Sequence, residues 1–196
     1  KKVLLCCTAL LSFGASQAFA QELSTPATRR AVRAAVKITA HGLDPRNGST
    51  GSGSIIDPRG YILTNFHVVG HTQPGVGAPG TFINPQNEVE IALATNPREA
   101  ALHRYTGRVV RADARLDLAL IRIVSDANGT PLPAGLRFPS VRLAATSHLR
   151  PGSRLFAFGF PLGVHTINVT SGEMSGFQMN SRDEVAWIRT NAEFNP

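Results

Sequence analysis

His67 stands just beyond the apolar run Tyr61-Ile62-Leu63, in Thr64-Asn65-Phe66-His67-Val68-Val69, at a strand end where a side chain can face a cleft. A His and an Asp are two of the three side chains of a nucleophilic triad. In such a triad the imidazole takes the nucleophile's proton and a carboxylate holds the other ring nitrogen in the right tautomer. Taken alone, a histidine in this setting is more often structural than catalytic. Two acids compete to be its partner. Asp117 opens the apolar run Leu118-Ala119-Leu120-Ile121, and an acid at the mouth of a buried strand is costly to desolvate unless paired. Asp113 lies four residues earlier and suits a turn in Asp113-Ala114-Arg115.

Other chemistries fit less well. His67 and His71 have a metal-like spacing, but Gly70 and the loop after it argue against a helix, and the Glu of His-Glu-x-x-His is absent. No Gly-x-Ser-x-Gly nucleophile elbow occurs, which argues against an α/β-hydrolase. Gly51-Ser52-Gly53 lacks the third glycine of a dinucleotide fingerprint and the Lys of a phosphate loop, and reads as close-packed strand. Neither a metal nor a cofactor is expected.

The elements that must position His67 and Asp117 are strands. Short runs of Val, Ile, Leu and Phe recur between Gly, Pro, Asn and Asp, an all-β rhythm. It predicts strands at Val32 to Ala40, Gly53 to Ile56, Tyr61 to Asn65, Val89 to Thr95, Gly107 to Ala112, Leu118 to Val124, Arg154 to Phe158, Thr166 to Thr170 and Val185 to Thr190. Asp57-Pro58-Arg59-Gly60 predicts a hairpin turn, since Pro presets one central dihedral and Gly relieves the last. Leu23 to Arg33 could begin helical, capped by Ser24 or Thr25 with Pro26 in the first turn. His71 to Gln86 reads as a long loop. The polar, Pro-rich stretch Asp126 to Pro133 is the best internal boundary.

The chain opens with Lys1-Lys2, an apolar run from Val3 to Ala15 and Ala18-Phe19-Ala20. These are the charged, apolar and small-residue parts of a secretory signal peptide, with cleavage expected after Ala20. The run is too short to span a bilayer, which takes about 20 residues. Cys6 and Cys7 lie inside it, so the mature chain is expected to have no disulfide, which suits a bacterial periplasm or exterior. The net charge of +7 falls to +5 without Lys1 and Lys2, as no acid precedes residue 21. The arginines are scattered rather than gathered into a stripe with aromatics, so a nucleic-acid partner is not expected.

Gly-Ser-Gly-Ser-Ile-Ile-Asp from Gly51, Tyr-Ile-Leu-Thr-Asn-Phe-His-Val-Val from Tyr61 and Asp-Leu-Ala-Leu from Asp117 follow one another in order. Phe156 to Gly163, Val169 to Gly176 and Ile188 to Pro196 continue the series. Together these motifs resemble the trypsin-like serine peptidases of the HtrA (Deg) type, over most of the chain from about Val32 onward. The resemblance implies an all-β fold of two six-stranded Greek-key barrels of the chymotrypsin/trypsin type, the second incomplete. The implied organisation is a signal peptide at 1–20, an N-terminal segment at 21–30, a first barrel at 31–126, a linker at 127–134 and a second barrel at 135–196. By position, His67 is the general base and Asp117 the acid that orients it, leaving Asp113 to the turn.

The resemblance also implies a serine-type endopeptidase acting on polypeptides through an acyl-enzyme, a role compatible with a homo-oligomer. The nucleophile is expected just after Pro196, in Gly-x-Ser-Gly-Gly, so the chain reads as a fragment. The alternative is a noncatalytic, protease-like module that binds peptides. The retained His and Asp argue against it, because a degenerate site has no physical reason to keep both. Three departures from the family pattern stand out: a longer spacing from His67 to Asp117, Asn191 where Asp is common, and Phe194 in place of a smaller aliphatic residue.

Overall fold

A computed structural model describes residues 25–44, 46–71, 80–179 and 185–193. The expected signal peptide with Cys6 and Cys7, the centre of the loop after His71, and Phe194 to Pro196 lie outside the described residues.

The helix begins where its cap predicts. Thr25 Oγ1 accepts the backbone N–H of Thr28 at 3.2 Å, Pro26 occupies the first turn, and α1 runs over Pro26–Ala34. Thr28 and Val32, one turn apart, are both buried. The strand expected from Val32 therefore starts later, at Ala35, once α1 has ended. In β1 (Ala35–His41) the alternation takes over: Val36, Ile38 and Ala40 are fully buried while Lys37 and Thr39 are partly exposed.

Six antiparallel strands close into a barrel in the order β1-β2-β3-β8-β7-β6. They are β1, β2 (Gly48–Asp57), β3 (Tyr61–Thr64), β6 (Glu88–Leu93), β7 (Leu102–Asp113) and β8 (Leu118–Asp126). Between β3 and β6, β4 (Gly70–His71) and β5 (Thr81–Phe82) form a two-stranded ribbon inside the stretch expected to be loop. The β2–β3 hairpin turns as predicted, with Gly60 at φ +88° and its N–H on the Asp57 carbonyl at 2.9 Å. The Arg59 guanidinium, and then its backbone N–H, hold the Asp57 carboxyl down to about 2.

The core is built from facing branched residues. Ile38 pairs across to Ile91, Ile55 to Ile62, and Ile121 to both Ile62 and Val109; the five isoleucines are fully buried. Each strand thus sends a branched side chain to the axis, and glycine supplies the space between them. A Cβ on Gly53 would lie 2.7 Å from Ile38 Cδ1 and 2.8 Å from Ile62 Cγ2. Gly53→Ala is therefore expected to overpack the barrel and cost about 1–3 kcal/mol, read as a lower urea midpoint at unchanged slope.

Beyond the barrel, β9 (Arg154–Gly159), β10 (Asn168–Met179) and β11 (Val185–Thr190) form an antiparallel sheet in the order β11-β10-β9. β10 runs well past the expected Thr170. Gly172 and Gly176 interrupt its apolar alternation, and register shifts near Met174 and Gly176 keep the pairing going despite them. The sheet is tied to the barrel by polar and apolar contacts. Phe160 N–H donates to Ser52 Oγ at 2.8 Å, Lys37 Nζ donates to the Gly163 carbonyl at 2.6 Å, and Ala101 N–H donates to the His165 carbonyl at 2.7 Å. Val32, Ala35, Ala94, Phe160 and Ile167 form a second apolar cluster across the same boundary.

Candidate active site

β3 ends at Thr64, whose Oγ1 donates to the Ser52 carbonyl at 2.8 Å and stays buried. The chain then makes a single 3₁₀ turn at Phe66–Val68, closed by the Val69 N–H on the Phe66 carbonyl at 2.9 Å. Phe66, Val68 and Val69 are all buried, with the Phe66 ring 5.8 Å from that of Phe82. Three apolar anchors around one turn leave His67 as the residue that points outward, with 67% of its side chain exposed. Gly51 of β2 permits this packing, since a Cβ there would collide with Val68 Cγ2.

Asp117 arrives from the neighbouring strand. β8 pairs with β3 as far as Thr64↔Ala119, so the residue two positions before Ala119 falls beside the turn that follows Thr64. Asp117 takes φ +52°, a left-handed conformation that Asp tolerates better than most side chains. Its carboxylate grips His67 at two points: Oδ2 lies 2.8 Å from His67 Nδ1, and Oδ1 accepts the His67 backbone N–H at 2.9 Å. A carboxylate only accepts, so Nδ1 is the donor, and in the neutral ring the lone pair sits on Nε2. Partial burial pushes the Asp117 carboxyl up. The His67 backbone N–H, ring and charge, together with the Asn65 amide, outweigh it and leave the carboxyl below its ordinary value.

Asp113 is the turn residue. Its Oδ1 accepts the backbone N–H groups of Arg115 at 2.9 Å and Leu116 at 3.1 Å. His71 lies in β4, paired with Thr81. Among the described residues no cluster of three His, Cys, Asp or Glu is placed to hold a metal. Asn191 joins β10 to β11: its Oδ1 accepts the Glu173 N–H at 2.6 Å and its own N–H donates to the Glu173 carbonyl at 3.2 Å. An amide and a carboxylate could both serve as that acceptor, so Asn keeps the bond without the charge. Phe194 falls outside the described residues.

Two residues escaped the sequence reading. Ser52 Oγ receives the Phe160 N–H from the other sheet, and Asn65 Nδ2 reaches Asp117. An Asn two residues before an outward histidine was the available sign for the second; nothing in Gly51-Ser52-Gly53 marked the first. A cleft of about 320 Å³ between barrel and sheet includes Ser52, Asn65, Phe158 and Glu193. A larger one, of about 650 Å³, lies at Arg59, Arg122 and residues 131–138 and includes neither His67 nor Asp117.

A closed six-stranded antiparallel barrel with a histidine and an aspartate joined at the ends of adjacent strands fits the trypsin-like class of peptidase. Comparison with known proteins agrees. The family described as "Trypsin-like peptidase domain" matches residues 51–196. The chain is 30% identical over 153 residues to "Probable periplasmic serine endoprotease DegP-like" of Marinomonas sp. (strain MWYL1), covering 77% of this chain and 26% of that protein. It is 30% identical over 152 residues to "Protease Do-like 8, chloroplastic" of Arabidopsis thaliana, covering 74% and 30%. It is 31% identical over 153 residues to "Serine protease HTRA4" of Mus musculus, covering 75% and 26%. The chain thus belongs to the trypsin-like peptidases, and within them to the HtrA (Deg) type. It spans about a quarter to a third of the length of these relatives.

Proposed function

We propose that the protein is a serine-type endopeptidase that hydrolyses polypeptides through an acyl-enzyme, with His67 as general base and Asp117 as the acid that orients it. The observation that carries this reading is the two-point grip of Asp117 on His67. A carboxylate bound to both the backbone and the ring of one histidine fixes where that ring points as well as its tautomer. In the proposed reaction a serine Oγ attacks the scissile carbonyl carbon while His67 Nε2 takes its proton. The tetrahedral intermediate collapses, the C–N bond breaks, and Nε2 returns the proton to the leaving amine. Water then repeats the sequence on the ester. The imidazolium formed at each stage lies against the Asp117 carboxylate, whose lowered pKa keeps it ionised throughout.

The reading places the serine after Pro196, with backbone N–H groups around it receiving the oxyanion. It also keeps the division of the chain into an export signal at 1–20, a barrel at 31–126 and a second barrel from 135, joined at 127–134. A periplasmic site of action fits the relatives named as periplasmic. Among the described residues no helix is long and apolar enough to cross a membrane.

A fluorophosphonate tests the proposal directly, because it reacts with a serine only when that serine is activated. The full-length protein is expected to incorporate one label, at a serine beyond residue 196, and to lose peptide hydrolysis in step. A folded full-length protein that takes up no label would overturn the reading in favour of a noncatalytic peptide-binding module.

A further inference from the structure

Asn65 sits immediately before the His67 turn, where an Asn side chain ordinarily caps the turn by accepting a backbone N–H. It makes no such bond. Its Nδ2 instead crosses to the start of β8 and lies 3.1 Å from the Asp117 carbonyl oxygen and 3.1 Å from Asp117 Oδ2. Both partners are acceptors only, so the amide nitrogen must face them and its two hydrogens serve both.

Asp117 has reason to need this hold. Its backbone is in the left-handed region, and 40% of its side chain is exposed, so water competes for the carboxylate. Its two other hydrogen bonds from described residues both come from His67, the residue it is to orient. A pair held only by each other can swing together. Asn65 is anchored separately: it follows β3 directly, and Phe66 after it is buried in the core.

We propose that Asn65 is a positioning residue of this site: by clamping both the backbone carbonyl and the carboxylate of Asp117, it makes the acid a fixed support for the His67 ring. The kinetic consequence rests on the endopeptidase reading, whereas the structural one does not. Losing the clamp would leave Asp117 free to leave the left-handed conformation, and a misplacement of about 1 Å in a catalytic array lowers turnover on the order of 10²-fold.

Asn65→Ser tests this. Serine is an equally good residue at the start of a turn but is too short to reach Asp117. Two quantities are read in the full-length protein: the titration of the ¹³C-labelled Asp117 carboxyl by NMR, and kcat on a fluorogenic peptide. The Asp117 midpoint is expected to move to higher pH, because a donor that favours the ionised form is gone. Turnover is expected to fall on the order of 10²-fold at nearly constant KM. Asn65→Asp, of the same size, guards against a folding failure: it places a second carboxylate against the first and should raise the midpoint further. A midpoint unmoved in both variants overturns the proposal even if activity falls, since that fall would then be structural. A wild-type protein that hydrolyses nothing would count against the endopeptidase reading alone, and the carboxyl titration would still decide for Asn65.

Discussion

Replacing His67 with alanine in the full-length protein is expected to lower kcat by roughly 10³ to 10⁶, the range set by removing triad members in other serine peptidases. The size follows from what the ring does. Serine is a weak nucleophile at neutral pH, and without an acceptor for its proton the attack must proceed through water. Neither of the other candidates among the described residues is placed to substitute, since Asp113 is committed to the Arg115 and Leu116 N–H groups and His71 belongs to a separate strand pair. Stability should barely change. The His67 side chain is largely exposed, and the buried anchors of its turn, Phe66 and Val68, remain in place, so the shift should stay within about 0.5 kcal/mol. Initial-rate measurement beside a urea melt separates the two effects. Unchanged turnover would sink the assignment of His67 as base.

Asp117→Asn should lower kcat by about 10⁴, the effect of the same exchange in a well-studied triad. The geometry here says why it should be large. The His67 backbone N–H points at Oδ1, so the new NH₂ group cannot settle there without setting donor against donor. The Oδ2 position also meets a donor, Asn65 Nδ2, but there His67 Nδ1 can turn acceptor by giving up its proton, which a backbone N–H cannot do. Nδ1 then has to accept, the ring proton moves to Nε2, and the nitrogen that should receive the serine proton is already protonated. Asparagine is also a gentle choice for the backbone, since it tolerates φ +52° nearly as well as aspartate. The double variant His67→Ala/Asp117→Asn should be no slower than His67→Ala alone, because the carboxylate acts only through the ring. Two losses that multiplied would show that Asp117 works independently of His67.

The strands were legible because they rest on local rules, whereas their closure into a barrel and the pairing of His67 with Asp117 came from the resemblance of the motifs. Alternating branched residues marked β1, β3, β6 and β8, and Asp57-Pro58-Arg59-Gly60 marked the hairpin that sets β2 against β3. The choice between Asp113 and Asp117 was not legible from residue type. Both are acids at the β7–β8 connection, and beyond the motif resemblance it is the β3–β8 register, which places Ala119 opposite Thr64, that sets Asp117 rather than Asp113 beside His67. The length of β10 escaped because glycines break a strand pattern in sequence while a bulged ladder tolerates them in space. Val32 read as strand from its branched side chain, yet the Thr25 cap and Pro26 carry the helix through Ala34. Ser52 and Asn65 escaped for a common reason: each acts on a residue far away in the chain, and short-range patterns carry no sign of that.

The β3–β8 ladder also governs when the site can exist. His67 and Asp117 are 50 residues apart in the chain and meet only because two strands have found each other in one register. A slip of one residue would turn every side chain of β8 to the opposite face. Such distant pairings form late, because the chain entropy lost in closing the loop precedes any contact that repays it. A newly made chain therefore holds an idle histidine and an idle aspartate until the ring of strands has closed. On the endopeptidase reading, proton transfer cannot begin before that barrel has closed.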